Sequence, residues 1–224
     1  MTKDKGKLNQ QALFARGCGF YKVVWLFLIG AFFGDIIETV FCRFSMGSWM
    51  SRSSVVWGPF SVVWGGAIAL ASALLYKYRK RSDAFLFVCG FCLGGIFEYL
   101  CSVFTENVFG TVFWDYSHIP FNLNGRVNIL FCAFWGIAAV VWFRLLYPKI
   151  SEGIERIPVK TGKVLTWVML VFMSFNMVVS SMALIRGGQR QQGEPAMYKW
   201  QQIMDQRFDD TRLKEIYPNA IKVT

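Results

Sequence analysis

Gly30-Ala31-Phe32-Phe33-Gly34-Asp35-Ile36-Ile37-Glu38 has a counterpart sixty residues on, Gly90-Phe91-Cys92-Leu93-Gly94-Gly95-Ile96-Phe97-Glu98. Both read Gly-x3-Gly-x3-Glu inside an otherwise apolar run. A spacing of four lines the two glycines and the glutamate along one face of a helix. Small residues so placed let two membrane helices approach backbone to backbone. A mid-helix aspartate costs about 2.5–3.5 kcal/mol on insertion scales, so an intramembrane carboxylate faces a partner or a wet cavity. Two such helices in register point to a duplicated unit with an acidic site at its interface. They also predict that the first and third helices touch through their glycine faces.

The rest of the chain agrees with a membrane protein. It is 54% hydrophobic and only 17% charged, with 22 Phe and 9 Trp and a mean hydropathy of +0.38. Apolar runs cover about 23–44, 59–78, 84–104, 127–147 and 164–185. Each comes close to the ~20 residues that a helix needs to cross the hydrocarbon core. The expected fold is an all-α membrane protein with five transmembrane helices. It divides into a basic leader (1–22), a five-helix domain (23–185) and a polar tail (186–224).

The net charge of +10 is distributed by side rather than gathered into a nucleic-acid patch. Lys3, Lys5, Lys7, Arg16 and Lys22 precede the first run, and Lys77, Arg79, Lys80 and Arg81 follow the second. Arg144, Lys149, Arg156, Lys160 and Lys163 surround the fourth connection, whereas the opposite loops hold only Arg43, Arg52 and Arg126. The positive-inside rule then sets the N-terminus in the cytoplasm and, after five crossings, residues 186–224 outside. The first run carries Asp35 and Glu38 and lacks a small-x-small cleavage site, so it does not read as a cleaved signal peptide.

Gly58-Pro59 starts the second helix near Pro59, since proline is best tolerated in a first turn. Residues 45–58 then form a loop that dips into the membrane. The connection 105–126 mixes aromatics with Asp, Asn and Pro and reads as an ordered interfacial lid. Trp135-Gly136 in the fourth helix echoes Trp64-Gly65 in the second. The unit is therefore two helices and a loop, repeated in parallel, with the fifth helix unmatched. Ser174, Asn176, Ser180 and Ser181 of that fifth helix are placed to hydrogen-bond its neighbours. The tail opens flexibly at Gly187-Gly188, and then Met197, Trp200, Ile203, Met204 and Phe208 recur at helical spacing, as in a cap on the bundle or a headgroup-resting helix. Cys89-x2-Cys92 lies within an apolar run and reads as packing, while a Cys42–Cys101 disulfide stays open.

The candidate substrate-binding or ion-relay residues are Asp35, Glu38, Arg52, Glu98, Glu106, Trp114, Asp115, Tyr116, Asn122, Asn124 and Arg126, with Gly30, Gly34, Gly90 and Gly94 as helix-packing residues. Five acids against two arginines suit a cation, an amine-bearing solute or a proton relay. The competing reading is a closed network in which each arginine bridges acids of the two repeats. No Gly-x4-Gly-Lys-Ser/Thr loop or Gly-x-Ser-x-Gly elbow occurs, and His118 is the single histidine. No catalytic residue, metal or cofactor is expected.

The run Gly94-x3-Glu98-Tyr99-x2-Ser102-x3-Glu106-x3-Gly110-x3-Trp114-Asp115-Tyr116-Ser117-x2-Pro120-Phe121-Asn122-Leu123-Asn124-Gly125-Arg126 resembles the signature of a bacterial family, the Putative ABC-transporter type IV proteins or ABC transporter permeases. Gly34-x3-Glu38 and Trp57-Gly58-Pro59 through Trp64-Gly65 match the same pattern, so the resemblance covers roughly 23–150. Where a typical member has a Trp shortly before the first glutamate, this chain has Asp35. The resemblance implies a multi-pass, permease-like protein that binds or moves a small solute. Its partners would be the lipid bilayer and a separate ATPase subunit, since none is encoded here; a homo-oligomer is open and nucleic acid is not expected. Two alternatives remain: an envelope assembly or signalling scaffold that holds an envelope protein, and an intramembrane enzyme acting on a lipid-linked substrate.

Overall fold

A computed structural model describes residues 13–222, and these are mostly helical. Lys3, Lys5 and Lys7, with most of the expected leader, lie outside the described residues. Helix α1 (Phe20–Met46) ends at Gly47, whose φ of +73° turns its N–H back onto Arg43 O. Helix α3 (Asp83–Phe109), capped by the Ser82 hydroxyl, ends in the same way at Gly110 with φ +58° and its N–H on Glu106 O. Glycine holds this left-handed position without the Cβ clash of other residues.

Helix α2 (Val62–Leu75) begins three residues after Pro59, because the Ser61 hydroxyl accepts the Trp64 N–H and serves as its cap. Before it the chain closes on itself, with Ser54 N–H on Phe60 O at 2.9 Å. A 3-10 turn, Tyr76–Tyr78, finishes α2. Helix α4 (Ile129–Val141) runs through a π turn (Trp142–Leu146) into α5 (Tyr147–Glu155). Pro148 supplies no N–H, and the wide turn before it absorbs the missing bond.

Helix α6 (Val159–Gln191) outruns its apolar stretch. The flexible start expected at Gly187-Gly188 is instead helical, since an added Cβ on Gly187 would sit 2.6 Å from Leu213. The tail boundary at 186 therefore falls inside a helix. Two short helices, α7 (Lys199–Arg207) and α8 (Asp210–Ile216), complete the chain with two minimal antiparallel ladders. Strand β1 (Thr111–Val112) pairs with β4 (Ile221–Lys222), and β2 (Asn122–Leu123) pairs with β3 (Val127–Asn128).

Among the described residues, four helices are long and apolar enough to cross a membrane: Phe20–Ser45, Asp83–Phe109, Ile129–Glu155 and Val159–Gln191. The shorter apolar helix Val62–Tyr78 lies among them. The protein is a multi-pass membrane protein, and its outward apolar side chains, such as Phe41, Phe44, Val171 and Phe175, meet lipid.

The glycine faces do not meet each other as the sequence led us to expect. The face of α1 packs on α2, where a Cβ on Gly34 would lie 2.3 Å from Trp64 Cβ and one on Gly30 would lie 2.9 Å from Ile68 Cδ1. The face of α3 packs on α4, with Gly94 against Trp135 and Gly90 against Ala139. The grooves left by the glycines are filled by the next helix in the chain, which returns antiparallel after the connections 47–61 and 110–128. Between the two hairpins, Trp64 meets Trp135 and the Trp142 indole donates to Ser72 Oγ at 2.9 Å. Cys42 and Cys101 are both free.

Lys22, expected as an ordinary flanking charge, is 0% exposed. Its ammonium donates to Glu155 Oε1 at 2.8 Å, Ser151 O at 2.9 Å and Ser151 Oγ at 2.5 Å, tying α1 to α5. All three donors are thereby used, which is what makes a buried ammonium tolerable. The adjoining apolar cluster joins Phe14, Leu26, Leu75, Leu86, Trp142 and Ile154.

Candidate functional site

The acids gather at the opposite end of the helices from Lys22. Glu38 accepts two hydrogen bonds from Arg52, Nε at 2.8 Å and Nη2 at 2.5 Å, and one from Trp64 Nε1 at 2.9 Å. Glu98, 6% exposed, accepts from Tyr116 Oη at 2.7 Å and Trp135 Nε1 at 3.3 Å. The two indoles that serve the glutamates lie with ring centroids 5.1 Å apart. Burial and the neighbouring Glu98 carboxylate push the Tyr116 phenol far above its ordinary pKa, so it acts as a donor. A ring stacked on Phe131 at 4.4 Å fixes its aim.

The arginines do not bridge the halves. Arg52 pairs with Glu38 of its own hairpin, and Arg126 pairs with Glu106 of its own. Each loop folds back so that its arginine meets the helix that the loop has just left. Asp35 is 4% exposed and its Oδ1 makes no hydrogen bond among the described residues. Glu98 makes no ion pair among them either.

Beside these pairs lies a cavity of about 180 Å3, lined by Ser102, Glu106, Val112, Trp114, Asp115, Asn124, Gly125 and Arg126. Arg126 forms its floor, donating to Ser102 Oγ at 3.3 Å and facing the Tyr99 ring at 5.9 Å. Its carbonyl accepts from Trp114 Nε1 at 2.9 Å, which fixes the indole across the lid. Asp115 accepts from Ser117 N at 2.8 Å and Ser117 Oγ at 2.9 Å. These two bonds, backbone first, hold its carboxyl below the usual carboxylate range.

Asn122 builds the lid rather than facing the cavity. Its Oδ1 accepts Gly125 N–H at 2.9 Å and its Nδ2 donates to Ile119 O at 2.8 Å. Gly125 is required there, with φ +67° and only 2.5 Å between an added Cβ and Asp115 Oδ1.

Sequence reasoning missed several partners. Ser102 stood in the family signature without a partner, and the fold sets Arg126 beside it. Trp64 and Trp135 carried a signal in their matching Trp-Gly pairs, but that signal spoke of a repeat and not of indole N–H groups aimed at glutamates. Asn176 and Ser180 of α6, by contrast, were expected to hydrogen-bond neighbours, and they hold the backbone of the first loop, accepting from Trp57 N at 3.2 Å and Val56 N at 2.9 Å.

The C-terminal segment clasps both loops at this end. Val56 joins Val179, Leu184, Met204, Phe208, Ile216 and Tyr217 in one apolar cluster. The Asn219 amide donates to Phe113 O at 2.8 Å, and β4 pairs with β1, whose Val112 lines the cavity. Under the clasp, Arg186 is 3% exposed and makes three hydrogen bonds to Asp205 at 2.9–3.2 Å. Arg190 joins Asp205 at 2.6 Å and Asp210 at 2.8 Å. The tail thus packs over both loops and the end of α6.

No curated protein and no solved structure matches the chain. The family described as Putative ABC-transporter type IV matches residues 25–181, from α1 through most of α6 and well beyond the 23–150 of the motifs, and the chain belongs to it.

Proposed function

We propose that the protein is a permease-like subunit of a bacterial plasma membrane, with its N-terminus inside, its tail outside, and a small-solute site in the cavity between Glu106, Asp115 and Arg126. The observation that carries this reading is the cavity itself, where opposite charges converge under a lid fixed by hydrogen bonds. Such convergent polar groups in a concavity are the ordinary form of a ligand site. Asp35, Glu38 and Glu98 lie beneath as a relay or support layer. An ATPase partner would supply energy, in keeping with the family's description.

Five crossings and a parallel repeat belong to the same proposal. In their support, α2 returns antiparallel along α1 until Cys18 Sγ reaches Ser72 O at 3.5 Å, close to where α1 began. The two hairpins also share a contact set: Gly65 packs on Phe27 and Gly136 on Phe87, while Trp64 serves Glu38 and Trp135 serves Glu98. A reporter fused after Thr224 should therefore be active only as an extracytoplasmic fusion. Activity of a cytoplasm-restricted reporter there would remove the five-span topology.

The site is tested by charge removal that spares shape. Glu98 has hydrogen-bond donors but no cationic partner, so Glu98→Gln should melt within roughly 1 kcal/mol of wild type and yet fail to complement a deletion strain. Glu38→Gln deprives the half-buried Arg52 of its partner and should lose about 1–3 kcal/mol of stability. Melting in detergent and complementation read the two separately. Full complementation by a folded Glu98→Gln would take Glu98 out of the mechanism.

A further inference from the structure

Apolar surface adjoins the polar cavity along α3 and the β2–β3 hairpin. Tyr99 is the border: its ring faces Arg126, and its hydroxyl accepts from Asn124 Nδ2 at 3.4 Å. Beyond it lies a second cavity, of about 330 Å3, walled chiefly by Phe91, Ile96, Tyr99, Leu100, Leu123 and Val127. The β2–β3 hairpin walls both, giving Asn124 and Arg126 to the polar cavity and Leu123 and Val127 to the apolar one. Ile96, Leu100 and Leu123 are each more than half exposed, so the groove opens sideways, where acyl chains lie. From Ile96 to Glu106 along α3 is ten residues, about 15 Å at helical rise. Over that distance the lining changes from apolar to charged, in the order of a phospholipid from chain to headgroup.

The charges narrow the headgroup. Glu106 and Asp115 outnumber Arg126, so an anionic headgroup with no amine meets net repulsion, whereas a zwitterion meets both signs. We infer that the two adjoining cavities together hold one phospholipid whose headgroup carries a phosphate and a free amine. The phosphate lies toward Arg126 and Asn124, the ammonium toward Glu106 and Asp115, and an acyl chain along Ile96 and Leu100. This rests on the cavity being a ligand site, as proposed above, and replaces a freely soluble ligand by one drawn from the bilayer. An apolar groove open to lipid adds nothing to the binding of a small soluble solute, while it lets a bilayer lipid keep its chain in apolar surroundings as its headgroup enters the polar cavity.

The test uses the full chain reconstituted in nanodiscs of phosphatidylcholine doped with equal amounts of phosphatidylethanolamine and phosphatidylglycerol, with retained lipid read by native mass spectrometry. Phosphatidylethanolamine should be enriched over phosphatidylglycerol by roughly tenfold, equivalent to ~1.4 kcal/mol. Ile96→Trp and Leu100→Trp fill the groove from an exposed face that leaves folding room, and each should return retention to bulk composition. Asn124→Asp keeps a residue suited to φ +54° while setting a negative charge against the phosphate, and should do the same. Retention that follows bulk composition in the wild type, or survives all three variants, overturns the inference. Soluble phosphoethanolamine bound equally by wild type and Ile96→Trp would overturn the lipid occupant and leave the solute site standing. Binding of neither probe, together with unimpaired complementation by Asn124→Asp and Asp115→Asn, would remove the site as well.

Discussion

Gly34→Leu and Gly94→Leu should each abolish recovery of folded protein. A Cβ at Gly34 would stand 2.3 Å from Trp64 Cβ, and one at Gly94 would stand 2.3 Å from Trp135 Cγ. Neither tryptophan can yield, because each indole N–H is committed to a glutamate, at 2.9 Å for Trp64 and 3.3 Å for Trp135. Overpacking alone costs typically 1–3 kcal/mol. Here the helices would also have to separate, which breaks the Trp–Glu bonds and leaves a buried carboxylate short of donors. Size-exclusion chromatography and melting in detergent measure the outcome. Gly153→Leu is the control, since nothing lies within 4 Å of an added Cβ there. Cysteine pairs placed across α1–α2 and α3–α4 should crosslink, whereas pairs across the glycine faces of α1 and α3 should not. A Gly94→Leu protein that elutes and melts like wild type would mean that these helices do not pack at the glycines.

Asp205→Ala should release the C-terminal clasp at a cost of about 3–5 kcal/mol, the usual penalty for stranding one member of a buried ion pair. Arg186 is the stranded group, 3% exposed, with only the Glu194 carbonyl at 3.1 Å left to accept from it. Arg190 keeps Asp210 and is less affected. Limited proteolysis should then cut within 195–222, and the melting transition should fall or split. The same carboxylate sets the acid response. Hydrogen bonds from Arg186, and then Arg190, hold Asp205 below the ordinary carboxylate range. Its contribution is therefore complete above the unfolded value of about 3.9 and is lost as pH falls through the lower native one. Protease resistance of the tail should persist from pH 7 to 5 and fail only in stronger acid. An Asp205→Ala tail as resistant as wild type at pH 7 would show that the apolar cluster alone holds it.

The apolar runs, the loops between them and the helical tail were legible because each is written in contiguous residues: run length against membrane thickness, Pro59 as a break, and a helical period from Met197 to Phe208. The candidate acids were legible for the same reason, since a charge inside an apolar run stands out wherever it points. The partners of those acids were not. Arg52 and Arg126 could be drawn to either hairpin from their positions in the chain, and only the folded loops bring each back onto its own helix. Lys22 looked like any basic flank until the approach of α5 buried it.

A glycine stripe shows the division most clearly. Its spacing establishes that some helix comes close to α1 and α3, because a missing Cβ on one face is a property of a single helix. It does not say which helix, since in lipid any apolar surface can fill the groove and the choice depends on the summed fit of faces far apart in the chain. Packing selected α2 and α4, whose Trp64 and Trp135 fill the groove with a flat ring and also present an N–H to the glutamate one turn away. Helix identity and the acidic faces were thus local information. The pairing of helices, the two indole–glutamate contacts and the clasp were settled by non-local contacts, which depend on distances that no periodicity encodes.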